Sequence, residues 1–401
     1  MRLFLSFLQA INSFWHKNNL RMVLSAFVAI VILSVDYWAM NCSIPLGSEK
    51  AKLQVLEYLK QRITGTQANQ ISDSVLMLDV HYDKVMVTER KQASDGTWME
   101  MGQVPVTDRG KLLRSLQYLK KRGDYRYILL DIRLEASTNQ PEDTTLWEII
   151  SNMPRLVMAH PLNSEIASPL LNEKAGAAQY NVVLWETDFL KYPIYTDTIP
   201  SMALKMYQET TNHNIQRWGP LWVDGYRLAR SSMILTWDLV DFNKRFYLGD
   251  IIGDWEDGDG EEWDGSPNGK YILIGDFEED VHPTFFGEMS GTLLIYNAYQ
   301  SLLQHRHTLS PFLIITLFSL FVVLAWLTLS KNHFFSWLCS FWGYAGFLTL
   351  FCIFTYLTFN VVYDILITTL LFYALKTGVE WYDRRYELFI YMKRIINYIK
   401  L

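Results

Sequence analysis

The feature that most constrains this chain is the placement of its apolar segments, one near the beginning and three at the end. Each is about 20 residues long, which is enough for an α-helix to cross the hydrocarbon core of a bilayer. They lie at 22–40, 311–329, 335–357 and 359–379. The sequence therefore predicts four transmembrane helices, and it leaves residues 43–308 as one domain outside the membrane.

Positive charges at both ends of the chain predict its orientation. Arg2, Lys17 and Arg21 precede the first apolar segment, and five basic residues follow the last one. Because basic residues favour the cytoplasmic side, both termini are expected in the cytoplasm and residues 43–308 on the opposite side. We expect a multi-pass protein of a bacterial cytoplasmic (inner) membrane. Its main domain is periplasmic if the cell has an outer membrane, and lies on the cell exterior otherwise.

Amphipathic patterns flank the membrane segments. Residues 1–21 carry apolar side chains at helical spacing, which is typical of a helix on the membrane surface; a poorly ordered leader is the alternative. Residues 380–401 show the same pattern, which suits a surface helix or a docking helix for a partner. Asp36, the one ionisable residue of 22–40, is expected near the outer interface, where its carboxylate reaches water.

Composition narrows the classes of function. The chain has 401 residues and a net charge of −6, so nothing favours a nucleic-acid partner. Its three cysteines are too few for a disulfide scaffold. The sequence contains no P-loop, kinase signature, nucleophile elbow or zinc motif. We therefore expect no catalytic residues, no cofactor and no metal centre.

The region 43–308 alternates short apolar runs with amphipathic stretches. Apolar runs at 74–80, 127–131 and 155–159 are separated by helical patterns at 110–122 and 144–152. This β-α-β rhythm predicts an α/β domain with a mostly parallel sheet covered by helices.

The stretch 269–307 joins this domain to the second membrane segment. A buried strand is predicted at 271–274, followed by an acidic loop and then by a helix from Met289 toward His307. Asn297 and Leu302 lie on the same face of that helix, and Leu303 follows them. We expect this helix to couple the domain to the membrane.

The same stretch carries a family resemblance. It is similar to the end of the type 2 sensing domain named CHASE, for cyclases/histidine kinases associated sensing extracellular. The resemblance extends upstream to Leu130-Asp131-Ile132 and Pro200-Ser201-Met202-Ala203, and it departs at about 212–268. The matching residues of the last stretch are Gly269, Lys270, Ile274, Gly275, Asp280, Pro283, Thr284, Gly291, Asn297, Ala298, Leu302 and Leu303.

The resemblance implies an extracellular sensor domain followed by three membrane helices, and often a dimer. Members of the family usually pass their signal to a fused cyclase, kinase or phosphatase. The tail 380–401 is far too short to be a catalytic domain, so an output in a separate protein is expected.

Asp79, Asp131 and Asp276 form the candidate ligand site. Each is predicted at the carboxyl end of a strand, the edge at which open α/β sheets bind ligands. If the strands are neighbours, the carboxylates line one cleft for a cationic ligand or a metal ion. The alternative is that they accept backbone hydrogen bonds from loops.

Other polar and aromatic features are weaker. The acidic run 250–264 does not fit a calcium loop, and a solvated loop is expected there. His305 and His307 are expected to contact lipid headgroups. Tryptophans of the divergent region are candidates for a partner interface, namely Trp218, Trp222, Trp237, Trp255 and Trp263.

Two functions remain open. The chain is either a sensor that passes an extracytoplasmic signal to a separate partner, or a structural subunit that uses the sensor fold as a docking surface. A polar pocket at the edge that carries Asp79, Asp131 and Asp276 would favour sensing. A filled edge beside a large aromatic surface would favour docking.

Overall fold

A computed structural model describes residues 2–41, 49–64, 74–135, 138, 140–160, 166, 168–178, 191–234, 245–257, 265–284, 287–330, 337–362 and 365–399. For 2–18 and 386–399 it describes the backbone alone. The predictions for Trp237, for Trp263 and for the acidic run beyond Asp257 lie outside the described residues. From Asp250 to Asp257 the predicted loop was wrong, because these residues belong to the helix Leu248–Asp257, whose apolar face is buried.

Helices surround the sheet of the middle region and follow one another at the end of the chain. They are α1 (Arg2–Asn41), α2 (Glu49–Thr64), α3 (Arg109–Arg122), α4 (Asp143–Asn152), α5 (Met202–Thr211), α6 (Leu248–Asp257), α7 (Gly291–Leu303), α8 (Pro311–Ser330), α9 (Phe341–Phe359) and α10 (Ile365–Ile399).

The strands fall between Val75 and Leu309. They are β1 (Val75–Asp79), β2 (Lys84–Gln92), β3 (Trp98–Thr107), β4 (Tyr127–Leu130), β5 (Leu156–His160), β6 (Ala175–Ala177), β7 (Lys191–Pro193), β8 (Tyr195–Thr196), β9 (Ile199–Pro200), β10 (Ile215–Trp218), β11 (Leu221–Asp224), β12 (Arg227–Ala229), β13 (Ser232–Ile234), β14 (Arg245–Tyr247), β15 (Tyr271–Gly275), β16 (Val281–Thr284), β17 (Gly287–Ser290) and β18 (Thr308–Leu309).

The central sheet has six parallel strands in the order β14-β1-β15-β4-β5-β6. Successive side chains of a strand point to opposite faces. On one face α5 and α7 pack against residues such as Met77 and Leu129, and on the other α3, α4 and α6 pack against Leu78 and Leu130. These apolar runs are buried on both faces. The predicted α/β domain with a parallel sheet and covering helices is confirmed.

Local residues fix the ends of these helices. Asp108 caps α3 by accepting a hydrogen bond from the Lys111 N–H, and Gly123 ends the helix at φ 67°. Ser290 caps α7 in the same way, accepting from the Leu293 N–H. Within α7, Gln300 and Leu303 are the residues that are not buried, so this helix lies in the core of the domain.

A second sheet, of four strands in the order β10-β11-β12-β18, joins the domain to the membrane helices. We call it the membrane-proximal sheet, because β18 ends two residues before Pro311 opens α8. The outer end of α1 binds it as well. The Tyr37 hydroxyl donates to the Ala229 carbonyl at 2.8 Å and accepts from the Trp222 N–H at 3.1 Å.

Among the described residues, three helices are long and apolar enough to cross a membrane, namely Asn19–Asn41, Pro311–Ser330 and Phe341–Phe359. The segment predicted at 359–379 differs: Phe359 ends α9, and α10 continues unbroken through the predicted boundary at 380. The predicted surface helix 1–21 is likewise continuous with the first span, because α1 is one helix.

Asp36 does not lie in contact with water. Its side chain is buried, and the Thr368 hydroxyl of α10 donates to its Oδ1 at 2.8 Å. The expectation that this carboxylate reaches water was therefore wrong. A carboxyl in an apolar surrounding requires such a partner, since an unsatisfied polar group there is costly.

Candidate functional site at the carboxyl edge of the central sheet

The three predicted aspartates lie at one edge of the central sheet. Asp79 ends β1, Asp276 follows β15 and Asp131 follows β4. These strands are neighbours in the order β1-β15-β4, and all three are parallel. Parallel alignment brings their carboxyl ends together, so the edge collects the three carboxyl groups although they are far apart in sequence.

Asp79 has a structural environment. Its Oδ1 accepts hydrogen bonds from the backbone N–H groups of His81 at 3.0 Å and Phe277 at 3.2 Å. Arg245 Nε lies 3.4 Å from Oδ2, and the side chain is fully buried. Asp79 therefore ties the loops after β1 and β15 together, which is the alternative weighed for it from the sequence.

Asp276 both organises a loop and faces solvent. Its Oδ1 accepts from the N–H groups of Glu278 at 3.0 Å and Glu279 at 2.8 Å, and Lys84 Nζ lies 2.8 Å from Oδ2. Burial acts to raise the pKa of Asp276, but these hydrogen bonds and the Lys84 charge outweigh it and hold the pKa below its ordinary value. Asp276 is therefore charged at neutral pH.

Asp131 is held by the first turn of α7. The Thr292 hydroxyl donates to its Oδ2 at 3.0 Å. This contact passes directly over Gly275, where a Cβ would overlap Thr292 Oγ1. Burial, and next the charge of Asp280, raise the pKa of Asp131 to about 7. Only a residue without a side chain at 275 allows the helix to reach this carboxyl.

Two cavities share Asp131, Arg133 and Asp276, and we call them together the edge cleft. The first has a volume of about 410 Å³ and lies against the beginning of α7. The second has a volume of about 500 Å³ and lies beneath the β2–β3 hairpin. The first is lined by Asp131, Arg133, Ala178, Tyr192, Asp276, Glu279, Asp280, His282, Gly291, Leu294 and Ile295.

The lining of the first cavity combines acidic and apolar side chains. Four carboxyl groups line it, and the basic side chains in the lining are those of Arg133 and His282. His282 Nε2 lies 3.1 Å from an oxygen of Asp280, which is half exposed. Leu294 and Ile295 of α7 supply the apolar surface. This chemistry suits a small ligand that combines a positive charge with an apolar part.

A metal ion has a less suitable place at this edge. His81, Asp276 and Glu279 offer ligand atoms within 4.8 Å of one another. The Lys84 ammonium, however, forms ion pairs with both Asp276 and Glu279. Lys84 thus supplies positive charge where a cation would bind, and a metal ion would have to displace it.

Helix α7 begins at the edge cleft and ends seven residues before α8. Gly291 lines the cavity at one end, and a Cβ there would overlap the Asp280 carboxylate. The predicted coupling residues Asn297 and Leu302 are buried in the middle and last turns, and Leu303 is half buried at the end. Asn297 Nδ2 donates to the Leu293 carbonyl at 3.0 Å. The helix is therefore firmly packed along its length.

The three candidate interface tryptophans that the structure describes do not form one surface. Trp218 is 67% exposed on the membrane-proximal sheet. Trp222 is half buried and stacks on Tyr195. Trp255 is in the core, stacked on Tyr118, with its Nε1 donating to the Gly265 carbonyl at 3.1 Å. Trp255 is therefore removed from the set of interface candidates, because its indole has no exposed face.

Sequence reasoning missed several residues of the edge cleft. Arg133, Tyr192, Asp280, His282 and Thr292 lie on loops, strands and a helix start that only the folded sheet brings together. A local signal existed for one of them. The acidic loop that holds Asp280 follows a buried strand, at the edge where α/β sheets bind ligands.

A sequence model of the CHASE2 domain matches residues 50–339, which is more than half of the chain. The chain belongs to the CHASE2 family. CHASE2 domains are extracellular sensor domains, and the matched region contains the central sheet, the edge cleft, α7 and α8. No curated protein and no solved structure matches the chain.

Proposed function

We propose that this protein is a non-enzymatic sensor of the bacterial inner membrane. Four transmembrane helices, the fourth formed by the first half of α10, place both termini in the cytoplasm and the CHASE2 domain in the periplasm. The domain binds its ligand in the edge cleft. It passes a change of state to a separate protein partner in the membrane or cytoplasm, and two copies of the chain act together as a dimer.

The observation that carries this proposal is the position of α7. Its first residue, Gly291, lines the cleft, and after its last residue, Leu303, only seven residues precede α8. A ligand that fits one placement of Gly291 better than another shifts the equilibrium between the two placements. Because α7 is packed along its length, a shift at its beginning is carried toward the membrane.

Lys84 neutralises Asp276 and Glu279, so the preference of the cleft for a cationic ligand rests on Asp131. Desolvation makes the charged form of Asp131 less stable than its neutral form, and this raises its pKa to about 7. A positive group beside it would stabilise the carboxylate and lower that pKa. A small organic ammonium ion, whose apolar part packs on Leu294 and Ile295, satisfies both features of the cavity.

Binding is tested on the full-length protein in phospholipid nanodiscs, by thermal unfolding with added ammonium ions. Phenethylammonium and putrescine are expected to raise the unfolding temperature, and the neutral phenethyl alcohol is not. Asp131→Asn and Asp276→Asn should weaken the response, whereas the exposed Asp254→Asn on α6 should retain it. A full response in both cleft variants would refute the site.

The alternative function is a structural subunit that docks a partner on the CHASE2 domain. The observation in its favour is the exposure of two aromatic side chains of the membrane-proximal sheet and its turns, Trp218 of β10 at 67% and Tyr226 of the β11–β12 turn at 77%. A gentle detergent pull-down of the full-length protein separates the two functions. A stoichiometric envelope partner that is lost in Trp218→Ala and kept in Asp131→Asn would favour docking.

A further inference from the structure

A buried polar cluster lies at the turn that joins α7 to β18, away from the edge cleft. Asp224 Oδ2 lies 2.9 Å from His307 Nε2, and its Oδ1 lies 3.1 Å from His213 Nδ1. The Tyr207 hydroxyl donates to Oδ2 at 3.0 Å. The side chains of His307 and Asp224 are 0% and 2% exposed. The expectation that His307 contacts lipid headgroups was therefore wrong.

The contacts of these rings favour their neutral form. Neutral His307 donates from Nε2 to Asp224, and its Nδ1 is buried without a hydrogen-bond partner. His305 Nδ1 is also buried without a partner. Protonation would add an N–H to each of these nitrogens, and a buried donor without an acceptor is costly. Burial lowers the pKa of both histidines, and the nearby Arg227 lowers that of His305 further.

Charges from every neighbouring element oppose protonation, with one exception. Arg227 and Arg230 come from β12 and the residue after it, and Arg306 from the turn itself. The rings of His213 and His307 each lie about 6 Å from that of His305. The exception is Asp224 of β11, whose carboxylate favours the charged forms of both His305 and His307, and Tyr207 of α5 is a neutral donor.

The cluster is part of the connection between the domain and two membrane helices. The Arg230 N–H donates to the His307 carbonyl at 2.8 Å, and the Thr308 N–H donates to the His305 carbonyl at 3.0 Å. Next to these bonds, β12 pairs with β18, which leads into α8. Tyr37 of α1 binds the last residue of β12. We call this assembly the histidine joint.

We propose that the histidine joint is a second input site of this protein, one that responds to protons. Acidification of the extracytoplasmic compartment protonates His305 and His307, separates β12 from β18, and thereby uncouples the CHASE2 domain from α1 and α8. When the joint opens, the imidazole rings of His305 and His307 reach water and have the ordinary histidine pKa of about 6.5. The open state therefore binds more protons than the closed state below that pH, and closure is lost as the pH falls.

Hydrogen exchange of the full-length protein in nanodiscs tests the proposal. The amides of Arg230 and Thr308 report closure of the joint, and those of β4 serve as an internal reference. After correction for intrinsic exchange, protection at the joint is expected to be constant from pH 8 to 7. Below about pH 6.5 it should fall, by at most about tenfold per pH unit for each proton taken up, while β4 stays protected.

Substitutions identify the histidines as the cause. The double variant His305→Gln/His307→Gln keeps an amide donor for Asp224 but takes up no proton, so joint protection should become nearly independent of pH. The single variant His305→Gln, which disturbs less packing, should reduce the slope. His160→Gln, in the central sheet, is the matched control and should behave as the wild type. Wild-type protection that is flat to pH 5, or an unchanged slope in His305→Gln, would overturn the proposal.

Discussion

Replacing Asp131 by Asn is expected to stabilise the protein while it weakens ligand binding. The pKa of Asp131 is raised from 3.8 to about 7, so the charged carboxylate is less stable in the folded state than in the unfolded one. At about 1.4 kcal/mol per pKa unit the full shift corresponds to about 4 kcal/mol. Water in the adjoining cavity reduces this penalty, and we expect a gain of about 2–4 kcal/mol for the variant.

The pH dependence of this gain provides the sharper test. Below the unfolded pKa, Asp131 is protonated in both states and the penalty is absent. Between about pH 4 and 7 the unfolded state binds fewer protons than the folded state, so the penalty grows over that range. Above pH 7 the carboxyl is deprotonated in both states, and the penalty is constant. The difference in stability between Asp131→Asn and the wild type should follow the same course.

Thermal or denaturant unfolding of the two full-length proteins in nanodiscs, at pH 4.5 to 8.5, measures this difference. Asn retains an oxygen that accepts from Thr292, so the variant keeps the contact with α7. The exposed Asp254→Asn controls for the loss of one negative charge. A variant that is less stable than the wild type at pH 8, or a difference independent of pH, would refute the reasoning.

Three further predictions concern side-chain packing and one buried hydrogen bond. Gly291→Ala, which forces a Cβ onto a cleft carboxylate, should cost about 1–3 kcal/mol in unfolding stability and abolish ligand-induced shifts. Trp255→Ala should cost about 3–5 kcal/mol and Trp218→Ala less than about 0.5 kcal/mol, both measured by denaturant unfolding; equal costs would contradict their assigned burial. Thr368→Val removes the hydrogen bond to Asp36 and should lower stability in detergent by about 0.5–2 kcal/mol, whereas no loss would show that the bond is dispensable.

The contact between Thr292 and Asp131 links the edge cleft directly to α7. It joins the carboxyl end of β4 to the first turn of α7, across the bare backbone of Gly275. A ligand that draws the Asp131 carboxylate toward itself acts directly on this contact.

Local patterns were sufficient where one physical cause dominates. Apolar runs buried on both faces gave β1, β4 and β15, and the helical periods gave α3 and α4. The β2–β3 hairpin was missed because most of it is exposed, so burial leaves little alternation in its sequence. The membrane-proximal sheet was missed because its strands have two to four residues each, too few for a period to be recognised.

The sequence by itself determined the parallel sheet, the apolar helices and the placement of Asp79, Asp131 and Asp276 at strand ends, because these depend on local apolar patterns. Only the tertiary structure decided which of the three faces a cavity. Asp79 accepts hydrogen bonds from two backbone N–H groups, whereas Asp131 accepts one from the hydroxyl of Thr292, which lies 161 residues later in the chain. Likewise, His307 changed from an expected surface residue to a buried partner of Asp224. Burial and pairing arise from contacts distant in sequence, and no local pattern records them.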